Sequence, residues 1–283
     1  MQVFSNKDQI FSVVDALKKQ QYTIGFVPTM GALHKGHLAL VERALANNDK
    51  VVVSVFVNPT QFNKIEDLEK YPKTIDEDIA LLKAVNENNI IVYAPTVDDV
   101  YNGNTVSEKF DFDGLEFEME GKFRPGHFDG VGTVVKRLFE IIRPDNAYFG
   151  EKDFQQLQII KKLVSKFKLH VNIVGCDIYR ESNGLAMSSR NIRLTNQQKM
   201  AAPFIFKTLK TAKKHFGTKS ASKVIEWVTE QFKNNDILKL EYFTVADANS
   251  LKEVKRKTKN KKYRAFIAVY AGEIRLIDNI ALN

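Results

Sequence analysis

The chain has a single cysteine, Cys176, among 283 residues, so it can form neither an intrachain disulfide nor a thiolate metal cluster. That usage suits a reducing cytosol. Long apolar runs are also missing: residues 51–57, Val-Val-Val-Ser-Val-Phe-Val, fall far short of the roughly 20 residues that cross a bilayer. The opening residues, Met1-Gln-Val-Phe-Ser-Asn-Lys7, lack the basic and then apolar order of a secretion signal. The expectation from these absences is a cytoplasmic protein with no membrane partner. There is no internal repeat and no Pro/Ser-rich linker, and no Gly-x4-Gly-Lys-Ser/Thr segment, which excludes a P-loop nucleotide site.

What is present looks like an ordinary globular chain, with 44% hydrophobic and 27% charged residues. Its length suits one large or two ordinary domains. Lys and Arg outnumber Asp and Glu by 42 to 34, a net charge of +8, which fits anionic small substrates, nucleic acid, an acidic membrane surface or simple solubility. The densest basic run, at 252–264, holds Lys255, Arg256, Lys257, Lys259, Lys261 and Lys262 but only one aromatic residue, Tyr263. Without a stacking platform it reads as a solvated turn between two strands rather than a nucleic-acid surface.

Short apolar runs at 23–27, 51–57, 90–93, 147–149 and 171–175 read as strands. They alternate with helical patterns at 37–47, 75–86, 131–142 and 154–166. About five strands separated by helices predict a Rossmann-like, doubly wound parallel sheet over residues 1–177. From residue 178 the rhythm changes: Thr195 can cap a helix, helices follow to about residue 234, and strands are expected at 240–246, 263–270 and 275–280. Residues 178–283 therefore read as a smaller C-terminal α+β domain. In a doubly wound sheet, ligands bind beyond the carboxyl ends of the strands, which directs attention to the loops at 28–36, 58–62 and 150–156 and after Cys176.

The first of these loops carries Thr29-Met-Gly-Ala-Leu-His-Lys-Gly-His37. Gly31 permits close approach of the backbone to a ligand, and a helix N-terminus after it favours an anion. His34 and His37, three apart, can face the same group; zinc is disfavoured because no Cys or third His stands nearby. The second loop, Asn58-Pro-Thr-Gln-Phe62, offers neutral amides that can hold a carboxylate without quenching it, although Asn-Pro alone is also simply a turn. The third, Phe149-Gly-Glu-Lys-Asp-Phe-Gln-Gln156, offers Lys152 as a point charge for phosphate, or merely a charged helix start. The fourth, Gly184-Leu-Ala-Met-Ser-Ser-Arg190, offers hydroxyls and a forked guanidinium, or any polar loop.

The His-x-Gly-His sequence resembles the signature of the nucleotidyltransferase superfamily. With Arg124-Pro-Gly-His-Phe-Asp-Gly-Val131, the motifs run in order over residues 22–195 and together resemble the pantothenate synthetase (pantoate–β-alanine ligase) family. The last hundred residues or so carry little signature. The resemblance implies a homodimeric, magnesium-dependent ligase with a Rossmann-like domain and a C-terminal lid. ATP and pantoate would give pantoyl adenylate and pyrophosphate, and β-alanine would then displace AMP.

Carried over position by position, the resemblance implies an ATP site lined by Met30, Gly31, Ala32, Leu33, His34, Lys35, Gly36 and His37. Gly150, Glu151, Lys152 and Asp153 would add ribose, base and phosphate contacts, and Tyr179 would meet adenine through its backbone. Met187, Ser188, Ser189 and Arg190 would bind phosphates. His34, His37, Lys152 and Arg190 would act catalytically, while Gln61 and Gln156 would hold pantoate, Gln61 also touching β-alanine. The alternatives are another His-x-Gly-His nucleotidyltransferase, separable by pantoate-dependent ATP–pyrophosphate exchange, and a nucleic-acid binder, which would show steep salt dependence.

Overall fold

Six short, largely apolar strands line up side by side in one parallel sheet. In the computed structural model, which describes residues 1–63 and 65–283, they are β1 (Gln2–Phe4), β2 (Ile24–Thr29), β3 (Lys50–Val55), β4 (Ile90–Tyr93), β5 (Asn146–Gly150) and β6 (Asn172–Cys176). The order is β1-β4-β3-β2-β5-β6, with every neighbouring pair parallel. The intervening helices are α1 (Lys7–Lys19), α2 (Lys35–Leu45), α3 (Ile65–Glu69), α4 (Ile75–Asn86), α5 (Val97–Tyr101), α6 (Met119–Phe123), α7 (His127–Ile142) and α8 (Phe154–Phe167).

From β2 the chain builds outward through β3 and β4, then returns to the other side of β2 with β5 and β6. The order reverses between β2 and β5, and sheets of this kind bind ligands beyond the carboxyl ends of the strands at such a reversal. Val27, Val51, Val53, Val92, Ile90 and Leu82 are buried together in one core cluster with Val41 of α2. Each such side chain contributes roughly 1.5–3 kcal/mol on leaving water. This is the expected doubly wound sheet, with one more strand than the sequence pattern announced. Strand β1 and helix α1, capped by the Asn6 side chain, precede the first predicted element.

Some boundaries differ for local reasons. Helix α2 begins at Lys35, two residues before its apolar pattern, because His34 caps it. Helix α7 begins at His127 rather than Val131, directly after Gly126 takes a left-handed φ of 76°.

The chain divides into two compact units, Met1–Glu151 with Gln155–Asp177, and Lys152–Phe154 with Ile178–Asn283. The second contains α9 (Asn196–Ala201), α10 (Phe204–Thr218), α11 (Ala221–Lys233) and an antiparallel sheet of β7 (Leu238–Asp247), β8 (Tyr263–Ala271) and β9 (Ile274–Ala281). Thr195 forms a capping box with Gln198 at the start of α9. Leu209, Phe216, Val228, Phe232, Val245 and Ile267 belong to this unit's core. The basic run connects β7 to β8 and is largely exposed, with Lys257 tied back to the Phe216 carbonyl. Among the described residues no helix is long and apolar enough to cross a membrane.

Candidate active site

Strand β2 ends at Thr29, whose hydroxyl donates to the Ser54 carbonyl (2.7 Å) and accepts the Gly31 N–H (3.2 Å). The chain then turns through two left-handed residues, Gly31 (φ 81°) and Ala32 (φ 50°). A Cβ on Gly31 would lie 3.0 Å from an Asp78 oxygen and 3.0 Å from a Val55 methyl. Glycine is therefore required there by internal packing as well as by conformation. Asp78, in the first turn of α4 and 1% exposed, accepts the N–H groups of Ala32 (3.0 Å) and Leu33 (2.7 Å). Burial pushes its carboxyl above the ordinary range, against the pull of those two N–H groups and of Thr74. Nothing in the sequence announces this clamp: Asp76, Glu77 and Asp78 look like acids that complement a helix dipole.

His34 follows as the cap of α2, its Nδ1 accepting the Gly36 N–H at 3.1 Å. In the neutral ring this places the proton on Nε2 as a donor. The rings of His34 and His37 stack with centroids 4.0 Å apart, and the His34 carbonyl accepts the N–H groups of His37 and Leu38. The N–H groups of Gly31, Ala32, Leu33, Gly36, His37 and Leu38 are thus all already engaged inside the protein. The loop is a rigid mount for side chains more than a nest of backbone donors. Lys35 is exposed, Gly31 and Leu33 are buried, and Met30, Ala32, His34, Gly36 and His37 are half-buried.

Beyond β3 the chain makes a short 3₁₀ turn, Pro59–Gln61. Asn58 before it is 1% exposed. Its Nδ2 donates to Gln61 Oε1 (3.1 Å) and to the Gly130 carbonyl (3.2 Å), and its Oδ1 accepts from Tyr101 (2.6 Å) and Thr60 (3.1 Å). The Gln61 amide nitrogen lies 3.0 Å from the Met30 sulfur, joining this turn to the β2 loop. The Gln61 carbonyl accepts from Arg124 (3.2 Å) and His127 Nδ1 (2.9 Å). A Cβ on Gly130 would stand 2.4 Å from the Thr60 carbonyl oxygen, so only glycine lets α7 press on the turn. The Arg124-Pro-Gly-His-Phe-Asp-Gly-Val131 segment, a signature without an assigned role in the sequence, builds the seat of Gln61.

Strand β5 ends at Gly150, and Glu151–Asp153 form a 3₁₀ turn into α8. The two glutamines that follow differ. Gln155 is buried, accepting from Glu120 N–H (3.0 Å) and donating to the carbonyls of Leu115 and Glu118 (2.8 Å each), so it is spent on scaffold. Gln156 is half-buried.

The segment Lys152–Phe154 groups with the second unit. Asn279 on β9 donates to the Lys152 carbonyl (2.9 Å). The Phe154 ring lies 5.9 Å from Phe266 and beneath the Arg264 guanidinium (3.9 Å). The Lys152 ammonium is 3.8 Å from Asp153, loosely held. In the same unit, Tyr179 and Met187 meet through a backbone bond (3.0 Å) across a tight reversal at Gly184 (φ 96°). Arg180 within it forks onto Asp278 (2.7 and 2.9 Å). Ser188 caps the 3₁₀ turn Ser189–Arg193 by accepting the Arg190 N–H (3.3 Å), and Asn191 ties that turn to Glu181 (2.9 Å) and the Ala186 carbonyl (3.1 Å). The Tyr179 side chain is exposed. The structure thus joins Met30 and Gln61 in the first unit and Tyr179 and Met187 in the second.

A reversed strand order with a His-x-Gly-His loop and an amide-bearing turn at its carboxyl edge is the layout of an α/β enzyme of the nucleotidyltransferase kind. Comparison with known proteins narrows this: the family model described as pantoate-beta-alanine ligase matches residues 2–281, and the chain belongs to that family. It is 58% identical over its full length, and that of its relative, to the pantothenate synthetase of Flavobacterium psychrophilum. Over the same full lengths it is 57% identical to that of Christiangramia forsetii. A crystal structure of pantothenate synthetase from Thermus thermophilus superposes with a TM-score of 0.91 at 36% identity, covering 100% of this chain and 99% of that one. The pantoate-beta-alanine ligase of Francisella tularensis, solved with beta-gamma ATP and beta-alanine, superposes with a TM-score of 0.82 at 37% identity, covering 100% and 98%. The activity that follows is the ligation of pantoate to β-alanine.

Proposed function

We propose that this chain makes pantothenate in two steps, with ATP and pantoate giving pantoyl adenylate and pyrophosphate, and β-alanine then displacing AMP. The observation that carries the reading is the joining of the β2 loop, through Met30, to the Gln61 amide beside the strand-order reversal, where a nucleotide and a small acid would lie side by side. The relative solved with beta-gamma ATP and beta-alanine supports the choice of ligands.

The chemistry asks for positioning and charge stabilisation, not for a nucleophilic side chain. Gln61 and Gln156 hold pantoate through neutral amides, so the attacking carboxylate keeps its charge. His34 donates from Nε2 to the phosphates, and His37 assists the departure of pyrophosphate. Lys152 and Arg190, with Ser188, Ser189 and Met187, meet the negative charge that grows on the phosphates. Glu151, Asp153 and Gly150 contact the ribose and base, and Tyr179 meets adenine through its backbone. In this reading residues 1–177 bind nucleotide and pantoate, and 178–283 serve as the smaller lid domain.

Among the described residues no three His, Cys, Asp or Glu side chains cluster to hold a metal. Magnesium is taken to arrive on the triphosphate, where phosphates and waters supply most of its ligands, and no step is assigned to a protein-held ion. A homodimer in the cytoplasm completes the reading; sedimentation at micromolar concentration checks the first part. The deciding assay supplies ATP, pantoate and β-alanine and looks for AMP and pantothenate. Pantoate-independent ATP–pyrophosphate exchange would point instead to another nucleotidyl transfer.

A further inference from the structure

We infer that Tyr101 is a positioning residue, acting through Asn58 to hold the Gln61 amide with its nitrogen toward the substrate. The inference rests on the reading of Gln61 as a pantoate contact. An amide side chain can present either its oxygen or its nitrogen, and only the nitrogen suits an anionic carboxylate. The choice is made by Asn58, whose Nδ2 hydrogens are both spent, one on Gln61 Oε1 (3.1 Å) and one on the Gly130 carbonyl (3.2 Å). A backbone carbonyl can only accept, so the nitrogen end of Asn58 is fixed, and with it the oxygen end of Gln61.

The oxygen end of Asn58 is held by two hydroxyls, the shorter bond coming from Tyr101 at 2.6 Å. Thr60 shares the arrangement, 3.1 Å from Asn58 Oδ1 and 2.9 Å from the Tyr101 oxygen. Tyr101 is itself buried, and burial pushes its hydroxyl above its ordinary range, keeping it protonated. The Arg137 guanidinium over its ring (4.7 Å) donates to the Val100 carbonyl (2.9 Å), seating the ring on its own helix turn. Beyond Gln61 the chain of bonds ends at the Met30 thioether (3.0 Å). Sulfur is a weak acceptor, so a carboxylate can take over that donor at little cost.

The test is a double-mutant cycle on steady-state kinetics in the intact enzyme. Tyr101→Phe should raise the pantoate KM roughly tenfold, the size of one well-made buried hydrogen bond, with the ATP KM within about twofold. In a Gln61→Ala background the same change should add almost nothing, because the amide it orients is gone. A merely structural tyrosine would lower thermal stability and add its full effect in both backgrounds, which overturns the inference. Equal rises in the ATP and pantoate KM would overturn it too. If Gln61→Ala alone leaves the pantoate KM unchanged, the assignment of Gln61 is what fails, and the inference falls with it. Asn58→Asp interrogates the same relay from its centre: it keeps the shape but cannot donate, so the Gln61 amide should turn and the pantoate KM rise further than in Tyr101→Phe.

Discussion

Replacing Asp78 by Asn separates two things a buried carboxylate does. The side chain keeps its shape but has one accepting oxygen where it had two, so it can satisfy either the Ala32 N–H (3.0 Å) or the Leu33 N–H (2.7 Å). A buried donor left without an acceptor costs about 1–3 kcal/mol. The loop has little reserve, since Ala32 is held at a φ of 50°, a conformation that itself costs on the order of 1–3 kcal/mol for a residue with a Cβ. If the lost hold falls on the His34–His37 mount, kcat/KM for ATP should drop roughly 5- to 150-fold, at tenfold per 1.4 kcal/mol.

The stability difference between Asp78→Asn and the parent should in addition depend on pH. Burial outweighs the hydrogen bonds in raising the Asp78 pKa. Folding stability is therefore lost as pH rises from the unfolded-state carboxylate range through the folded value, and the ionised form is the costly one at neutral pH. Asn carries no such cost. The melting temperature of Asp78→Asn relative to the parent should accordingly be higher at neutral pH than in acid. Thermal melts across pH with ATP kinetics on the same preparations read both halves. Parent-like ATP kinetics, or a relative loss of stability on going to neutral pH, would refute the account of Asp78 as a costly clamp.

Other outcomes follow from the same geometry. Lys152→Ala should slow adenylate formation by several hundredfold, about 3–4 kcal/mol of transition-state stabilisation, with little change in pantoate affinity; a fall below tenfold in single-turnover adenylation removes its role. His34→Ala and His37→Ala should impair adenylation while chemically supplied pantoyl adenylate still reacts with β-alanine, and equal damage to both half-reactions would recast the pair as loop supports. Gly130→Ala should raise the pantoate KM and lower stability by roughly 1–3 kcal/mol, the usual overpacking range, because the new methyl lies 2.4 Å from the Thr60 carbonyl oxygen; denaturant melts and kinetics test it. Gln61→Glu should weaken pantoate binding sharply at neutral pH by placing like charge against its carboxylate, and unchanged affinity by calorimetry would put Gln61 outside the pantoate site.

The sheet was legible because its strands are short apolar runs, valine- and isoleucine-rich in β3 and β4, and α4 was legible at both ends from its apolar spacing alone. Strand β1 escaped because three residues at a sheet edge carry no periodicity. The loops that bear the candidate site announced themselves as motifs. The residues that hold those loops did not, because each works across long sequence distance. Asp78 reaches Leu33 across 45 positions and Tyr101 reaches Asn58 across 43; in sequence Asp78 is an unremarked member of a helix pattern, and Tyr101 falls outside every element the sequence announced. The pair Gln155 and Gln156 shows the same limit: adjacent identical residues look alike in a motif, and only their packing tells the buried scaffold amide from the half-buried one.

The engaged backbone of the β2 loop bears on how such a site can change over generations. A phosphate cradled by main-chain N–H groups is bound by atoms that no codon change can delete. Here the N–H groups of Gly31, Ala32, Leu33, Gly36, His37 and Leu38 are occupied by Thr29, Asp78 and His34, so in the proposed function recognition of the phosphates falls mainly to side chains, each encoded separately and each replaceable by a single mutation. Affinity for the nucleotide can then be raised, lowered or redirected in small heritable steps, while the mount on which those side chains stand stays the same.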